Sequence, residues 1–341
     1  VTEPTAAPVV DPVPPQDRRP PDRVLFGIGL MLLSVALLPI MEGLAKSMSD
    51  RYAVVQLVFA RFAFQSLYIV PLAALRHAPA LRRPNRLGLQ VARGLSILAG
   101  TGFFYWSLRT LPLADGLALM FIAPLVVTAI SALFLGEQVG PRRWAAVVVG
   151  FLGVLVILRP GLGVFQPSAF LALAAGCCVA VYALLTRHLA STAPPLVTLA
   201  ITSLVGMVGT ALLLPFVWST PDAGDWLRMA VMGSVGAFGH YFMIRAFEQA
   251  PASVISPFIY AEIVVATLIG YLWFGDFPDA VAWAGIAILI ASGIYLSWRE
   301  HIAQRAARKA AQGRAQGQAQ GQAKGQAKGQ AKGQAKGQAP P

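Results

Sequence analysis

Glu262 stands twelfth in an apolar run that begins near Pro251, a depth at which a carboxylate cannot be left without a partner. Three roles are open to it: binding a substrate amine or a proton, a fixed salt bridge to an arginine, or a neutral acid hydrogen-bonded to a neighbour. Arg61, about eight residues into an earlier run, reaches comparable depth, so an Arg61–Glu262 pair is the structural alternative for both. Glu42 and Lys46 stand four apart, the order that favours an ion pair on one helix face. Arg93 has a stem long enough to snorkel to the headgroups. His240 and Tyr241 follow Gly239 near the middle of another run, where the histidine serves either as a proton carrier or as a hydrogen-bonded packing residue. Phe121 and Tyr260 supply aromatic surface at matched depth. The substrate-binding set expected from depth and charge is Arg61, Phe121, His240, Tyr241, Tyr260 and Glu262.

Other chemistry finds no foothold. There is no Gly-Lys phosphate cradle, no HExxH and no aspartate-rich pair for magnesium pyrophosphate. Cys177 and Cys178 are adjacent, without histidine partners, and read as small packing residues. No catalytic residue, metal site or cofactor is expected, and the chain does not read as an enzyme.

The elements that hold these side chains are membrane spans. Of 341 residues, 56% are apolar and 12% charged, with mean hydropathy +0.63; soluble domains carry about 25% charged residues. The surplus comes in runs near 20 residues, long enough to cross roughly 30 Å of hydrocarbon. Ten such runs fit between Val24 and Trp298. The expected fold is all-α, about ten transmembrane helices in two inverted five-helix repeats. The repeats take residues 24–160 and 166–299; residues 1–23 and 300–341 form a disordered N-terminus and a disordered basic tail with four GQAK units. The first 23 residues lack an apolar h-region.

The inversion rests on two observations. A shift of 139 residues aligns Arg86–Ile157 with Asp225–Leu296, matching Gly94 to Gly233, Pro112 to Pro251, Gly136 to Gly275 and Trp144 to Trp283. Only 11 of 72 positions are identical, so the placement of breakers carries the argument. Charge supplies the second observation. The connection RHAPALRRPNR becomes STPDAGD in the second half, and Arg142 and Arg143 become Val281 and Ala282. Bases disappear wherever an odd-numbered repeat would turn the loop outward. Both termini are expected in the cytoplasm. Lys46, Arg51, Arg109, Arg159 and Arg228 are exceptions, at the outer ends. The net charge of +12 concentrates in the tail and in loops, a distribution for lipid and orientation; nucleic acid is not an expected partner.

The segments ARFAFQSLYIVPLAAL, LPLADGLALMFIAPLVVTAISALFLGEQV and IRAFEQAPASVISPFIYAEIVVATLIGYLWFGDFPD together resemble the drug/metabolite transporter superfamily, in its EamA-type ten-helix branch. The resemblance implies a secondary carrier moving a small organic metabolite across the bacterial inner membrane, with a proton or counter-substrate as a possible coupling partner. GDFPD and SVGAFGHYFMIRAFEQAPAS look nearer to members described as S-adenosylmethionine or riboflavin uptake carriers. Two other classes compete: an intramembrane enzyme on a lipid-linked substrate, whose acids and histidines should converge at one face, and a signalling scaffold that uses the tail. Deleting the residues after Glu300 should spare solute flux in proteoliposomes if the chain is a carrier; loss of flux would favour the scaffold.

Overall fold

The computed structural model describes residues 21–134, 139–159, 166–189, 192–299 and 302. The expected disordered segments fall almost wholly outside that set, except that residues 21–23 already belong to the first helix. The regular structure of the described residues is all helical, with no strand among them. In chain order the helices are α1 (Pro21–Met48), α2 (Val54–Arg82), α3 (Leu87–Ser107), α4 (Leu113–Met120), α5 (Ala123–Leu133) and α6 (Pro141–Leu158). Then come α7 (Ser168–Leu189), α8 (Pro195–Ala211), α9 (Ala223–Gln249), α10 (Ala252–Ile259), α11 (Ala261–Ile269) and α12 (Ala280–Arg299). A π-helical turn, Gly270–Phe274, extends α11.

Nine helices among the described residues are long and apolar enough to cross a membrane, counting α4–α5 as one. Ten runs were expected, and the difference is α9. It has 27 residues, about 40 Å of helix, but carries Asp225, Arg228, His240, Arg245 and Glu248. These polar groups lower its hydropathy without removing it from the bundle. It lies antiparallel along α1: Gly27 meets Ala246 and Ala250, Gly239 meets Leu38, and Gly236 meets Met41. A helix that follows a membrane span over its whole length crosses with it.

Two helices expected to be continuous are broken. In the first repeat the chain leaves helical geometry at Phe121 (ψ 7°) between α4 and α5. Pro124, near the start of α5, has no N–H for the Met120 carbonyl, and that oxygen faces Gly176 of α7. In the second repeat the break falls at Tyr260, between α10 and α11, three residues after Pro257. The bounds of α4 shifted by 139 residues are those of α10, although the two prolines are not aligned.

The packing exchanges under the repeat symmetry. α1 packs on α9 and α7 on α3; α2 packs on α9 and α8 on α3; α2 and α8 pack on each other. Each repeat therefore encloses its partner's third helix. Small residues permit the closest approaches. Gly153 of α6 and Gly285 of α12 meet backbone to backbone, a Cβ on either falling within 3.0 Å of the other's carbonyl.

Gly285→Val should lower the thermal midpoint of the purified protein, through overpacking of about 1–3 kcal/mol. Gly88→Val, where a Cβ meets nothing within 4 Å, should move it far less. Equal shifts would contradict this helix contact.

Candidate functional site

The centre of the bundle holds more charge than it pairs. Glu42 from α1, Arg61 from α2 and Glu262 from α11 are 5%, 6% and 5% exposed, so bulk water does not compensate them. Glu42 lies within electrostatic range of both Arg61 and Glu262, yet no ion pair joins the three among the described residues. The alternative reading, an Arg61–Glu262 pair, is not formed. The Arg61 guanidinium instead turns onto α3, donating to Thr101 Oγ1 at 2.6 Å. It lies 5.1 Å from the Phe62 ring centroid and 5.9 Å from that of Tyr105. One turn along α2, Gln65 donates to Ser203 Oγ on α8 at 2.8 Å. Glu42 Oε2, Arg61 Nε, Gln65 Oε1 and Tyr105 Oη are buried with no hydrogen-bond partner. Neither Glu42 nor Glu262 makes a hydrogen bond or ion pair among the described residues.

Such a set is costly to keep empty. An uncompensated buried ion costs several kcal/mol, and a buried polar group without a bond costs about 1–3 kcal/mol. Two carboxyl groups and one guanidinium are buried together, with the Phe62 and Tyr105 rings beside the guanidinium. That arrangement is complementary to a ligand with excess positive charge.

The other expected residues divide. Phe121 and Tyr260 do meet, with ring centroids 5.4 Å apart in an edge arrangement. They stand at the two helix breaks, so the seam between repeats passes through this contact. Gly293 of α12 leaves room for the Tyr260 hydroxyl, against which a Cβ would overlap. His240 spends Nδ1 on the Gly236 carbonyl of its own helix at 2.8 Å, while remaining within range of the Arg61 charge. Tyr241 stands apart. It packs on a separate cluster with Ile69, Ala73, Leu199 and Ala200, and its hydroxyl is 3.4 Å from Arg76.

Two expectations about arginine and lysine are corrected. Arg93 does not snorkel: it is 2% exposed and spans the interface of α3 with α7 and α8. It donates to Thr186 Oγ1 at 3.0 Å, to the Thr198 carbonyl at 2.7 Å and to Thr202, with the Tyr182 ring 4.7 Å from its guanidinium carbon. Lys46 does not pair with Glu42. Its amine reaches Asp276 at 2.9 Å and the Leu111 carbonyl at 2.6 Å, because a polar partner lies at the helix end and Glu42 points inward.

Lys46 belongs to a set that accounts for four of the five basic exceptions at this end, Arg109 being outside it. Arg51 and Arg228 each reach Asp225 at 2.9 Å, Tyr52 donates to the same carboxylate at 2.8 Å, and Arg159 pairs with Asp279. Three of these pairs cross the seam, always with the base from the first half and the acid from the second. The acids are those of the STPDAGD and GDFPD connections. Gln65 and Thr101 were missed by sequence reasoning. Their signal was spacing: Gln65 lies four residues from Arg61 and Thr101 four from Tyr105, each pair sharing a helix face.

Inverted five-helix units, helices broken near the middle and buried charge at the seam define a secondary-transporter architecture. The sequence model of the EamA-like transporter family matches residues 25–159 and 166–299, and the chain belongs to that family. It is a multi-pass membrane protein and a transporter of small metabolites. It is similar to an S-adenosylmethionine uptake transporter of Rickettsia prowazekii, 27% identical over 81% of this chain and 94% of the relative. A riboflavin transporter of Vibrio cholerae is 30% identical over 65% of this chain and 76% of its own length. A pseudopaline exporter of Pseudomonas aeruginosa is 27% identical over 81% and 97%. A solved crystal structure superposes with TM-score 0.56 at 22% identity, covering 81% of this chain and 96% of that one, a likeness of fold alone.

The hydrogen bond from Arg159 depresses the Asp279 carboxyl to about 2. A depressed acid stabilises the fold above its unfolded value, about 3.9, and loses that contribution as pH falls through its folded value. The thermal-midpoint gap between wild type and Asp279→Asn should be constant from pH 8 to pH 5 and close between pH 4 and pH 2. A gap that widens on acidification would contradict the pair.

Proposed function

We propose that this protein is a secondary carrier of the bacterial inner membrane, with both termini cytoplasmic, whose solute carries a net positive charge and an α-amino-acid head. The observation that supports this reading is the central excess of acid: Glu42 and Glu262 against Arg61 alone. A solute carboxylate fits the guanidinium, whose Nε lacks a partner. An ammonium or onium group fits the two acids, with the ring of Tyr105 close to Glu42. When the solute leaves, a proton or a counter-cation takes its place between the acids.

This chemistry separates the relatives. S-adenosylmethionine combines a sulfonium, an ammonium and a carboxylate, whereas riboflavin carries no fixed charge. The site therefore matches the first of these cargoes. The enzyme alternative fares worse, because Glu42 and Glu262 lie within the bundle rather than at the membrane face where a lipid headgroup resides. Orientation rests on the loop arginines.

Proteoliposomes holding the full chain should take up labelled S-adenosylmethionine, with excess riboflavin competing weakly. Glu42→Gln and Glu262→Gln should each lower uptake at least about tenfold, the scale of a lost buried charge contact. Uptake unchanged in both variants, or riboflavin carried in preference, would overturn the proposal.

A further inference from the structure

A second set of unpartnered polar groups lies at the end of the bundle bearing the cross-seam ion pairs. A cavity of about 240 Å³ opens there between the start of α4, the end of α6 and the start of α12. Asp115, Arg159, Gln166 and Asp279 contribute its polar wall, and Leu119 and Phe277 are among its apolar residues. Asp115 Oδ1 and Gln166 Oε1 are buried without a bond, and neither side chain makes a hydrogen bond among the described residues. Both orphaned atoms are acceptors.

The local charges do not balance. Asp276 and Asp279 both act on Asp115 across this region, against Lys46 and Arg159. Both bases are already committed, Lys46 to Asp276 and Arg159 to Asp279. Asp115 is the acid left over. Arg159 holds its place through a left-handed backbone (φ 46°) at the end of α6, a conformation disfavoured for a residue with a Cβ. The cavity wall is thus built around pairs that leave one carboxylate facing space.

We propose that this cavity is a second binding site, taking a small organic cation whose ammonium meets Asp115 and Gln166 and whose apolar part lies against Leu119 and Phe277. The volume is below the 300–1,000 Å³ of drug-sized pockets, which suits a small cation or one end of a larger one. Leu119 belongs to the apolar cluster against which Phe121 packs, so the site adjoins the seam. Its service as the entry station for the transported solute rests on the cationic-solute reading above; the binding site itself does not.

The test is thiol protection in the full-length protein, with Cys177 and Cys178 replaced by alanine and a reporter introduced as Ala282→Cys. A second reporter, Ala169→Cys, lines the same cavity and serves if the first is not monodisperse. The probes are benzylammonium and its neutral counterpart, benzyl alcohol. Benzylammonium should slow labelling while benzyl alcohol does not. Asp115→Asn should raise the half-protecting concentration at least about tenfold, and Glu262→Gln should leave it in place. Equal protection by both probes, protection that survives Asp115→Asn, or protection lost with Glu262→Gln would overturn the second site. Failure of the central reading appears in the uptake assay and leaves this measurement intact.

Discussion

Ionisable side chains buried in the bundle with too few partners are the constraint on which the rest of this structure depends. Glu42, Arg61 and Glu262 sit on three helices, α1, α2 and α11, that would separate under their own desolvation cost unless something held them together. What holds them is the reciprocal packing of the repeats. α1 is fixed along α9, and α2 is fixed against both α8 and α9. Glycines at 233, 236 and 239 bring α9 against the Arg61 backbone, Met41 and Leu38. Apolar contact thus maintains an electrostatic arrangement that is unfavourable when empty, and binding energy is available to a solute that completes it.

The helix breaks give that arrangement its seam. Phe121 and Tyr260 each stand where a membrane helix is interrupted, and their rings touch. A continuous helix would place side chains there in fixed register, whereas two half-helices can tilt separately. Ion pairs at one end, Lys46–Asp276, Arg51–Asp225 and Arg159–Asp279, join the halves across the same seam. At the opposite end Arg76 reaches Tyr241 and Arg86 reaches His188 across the repeats.

Much of this was legible in the residues. The 139-residue register of Pro112, Gly136 and Trp144 with their counterparts anticipated that α10 repeats the bounds of α4, and it paired Phe121 with Tyr260. Loop charge anticipated which connections would carry acids. Long flexible side chains were not legible. Lys46 has a local partner four residues away and a tertiary partner 230 residues away, and local spacing cannot rank them. Arg93 went the same way, since threonine oxygens on α7 and α8 gave it better company than the headgroups. The run that forms α9 was read as a span despite its charges, of which Asp225 is buried while Arg228, Arg245 and Glu248 are part-exposed near its ends. The break at Tyr260 was hidden because Pro257 has no aligned proline in the first half.

The central claim is that a buried excess of carboxylate selects a cationic solute. It is tested most directly by calorimetric binding of S-adenosylmethionine and of S-adenosylhomocysteine, which keeps the amino-acid head and adenosine but lacks the sulfonium charge. The account predicts that wild type binds the sulfonium at least about tenfold tighter and that Glu262→Gln erases the preference. Equal affinities in wild type, or a preference untouched by Glu262→Gln, would contradict it.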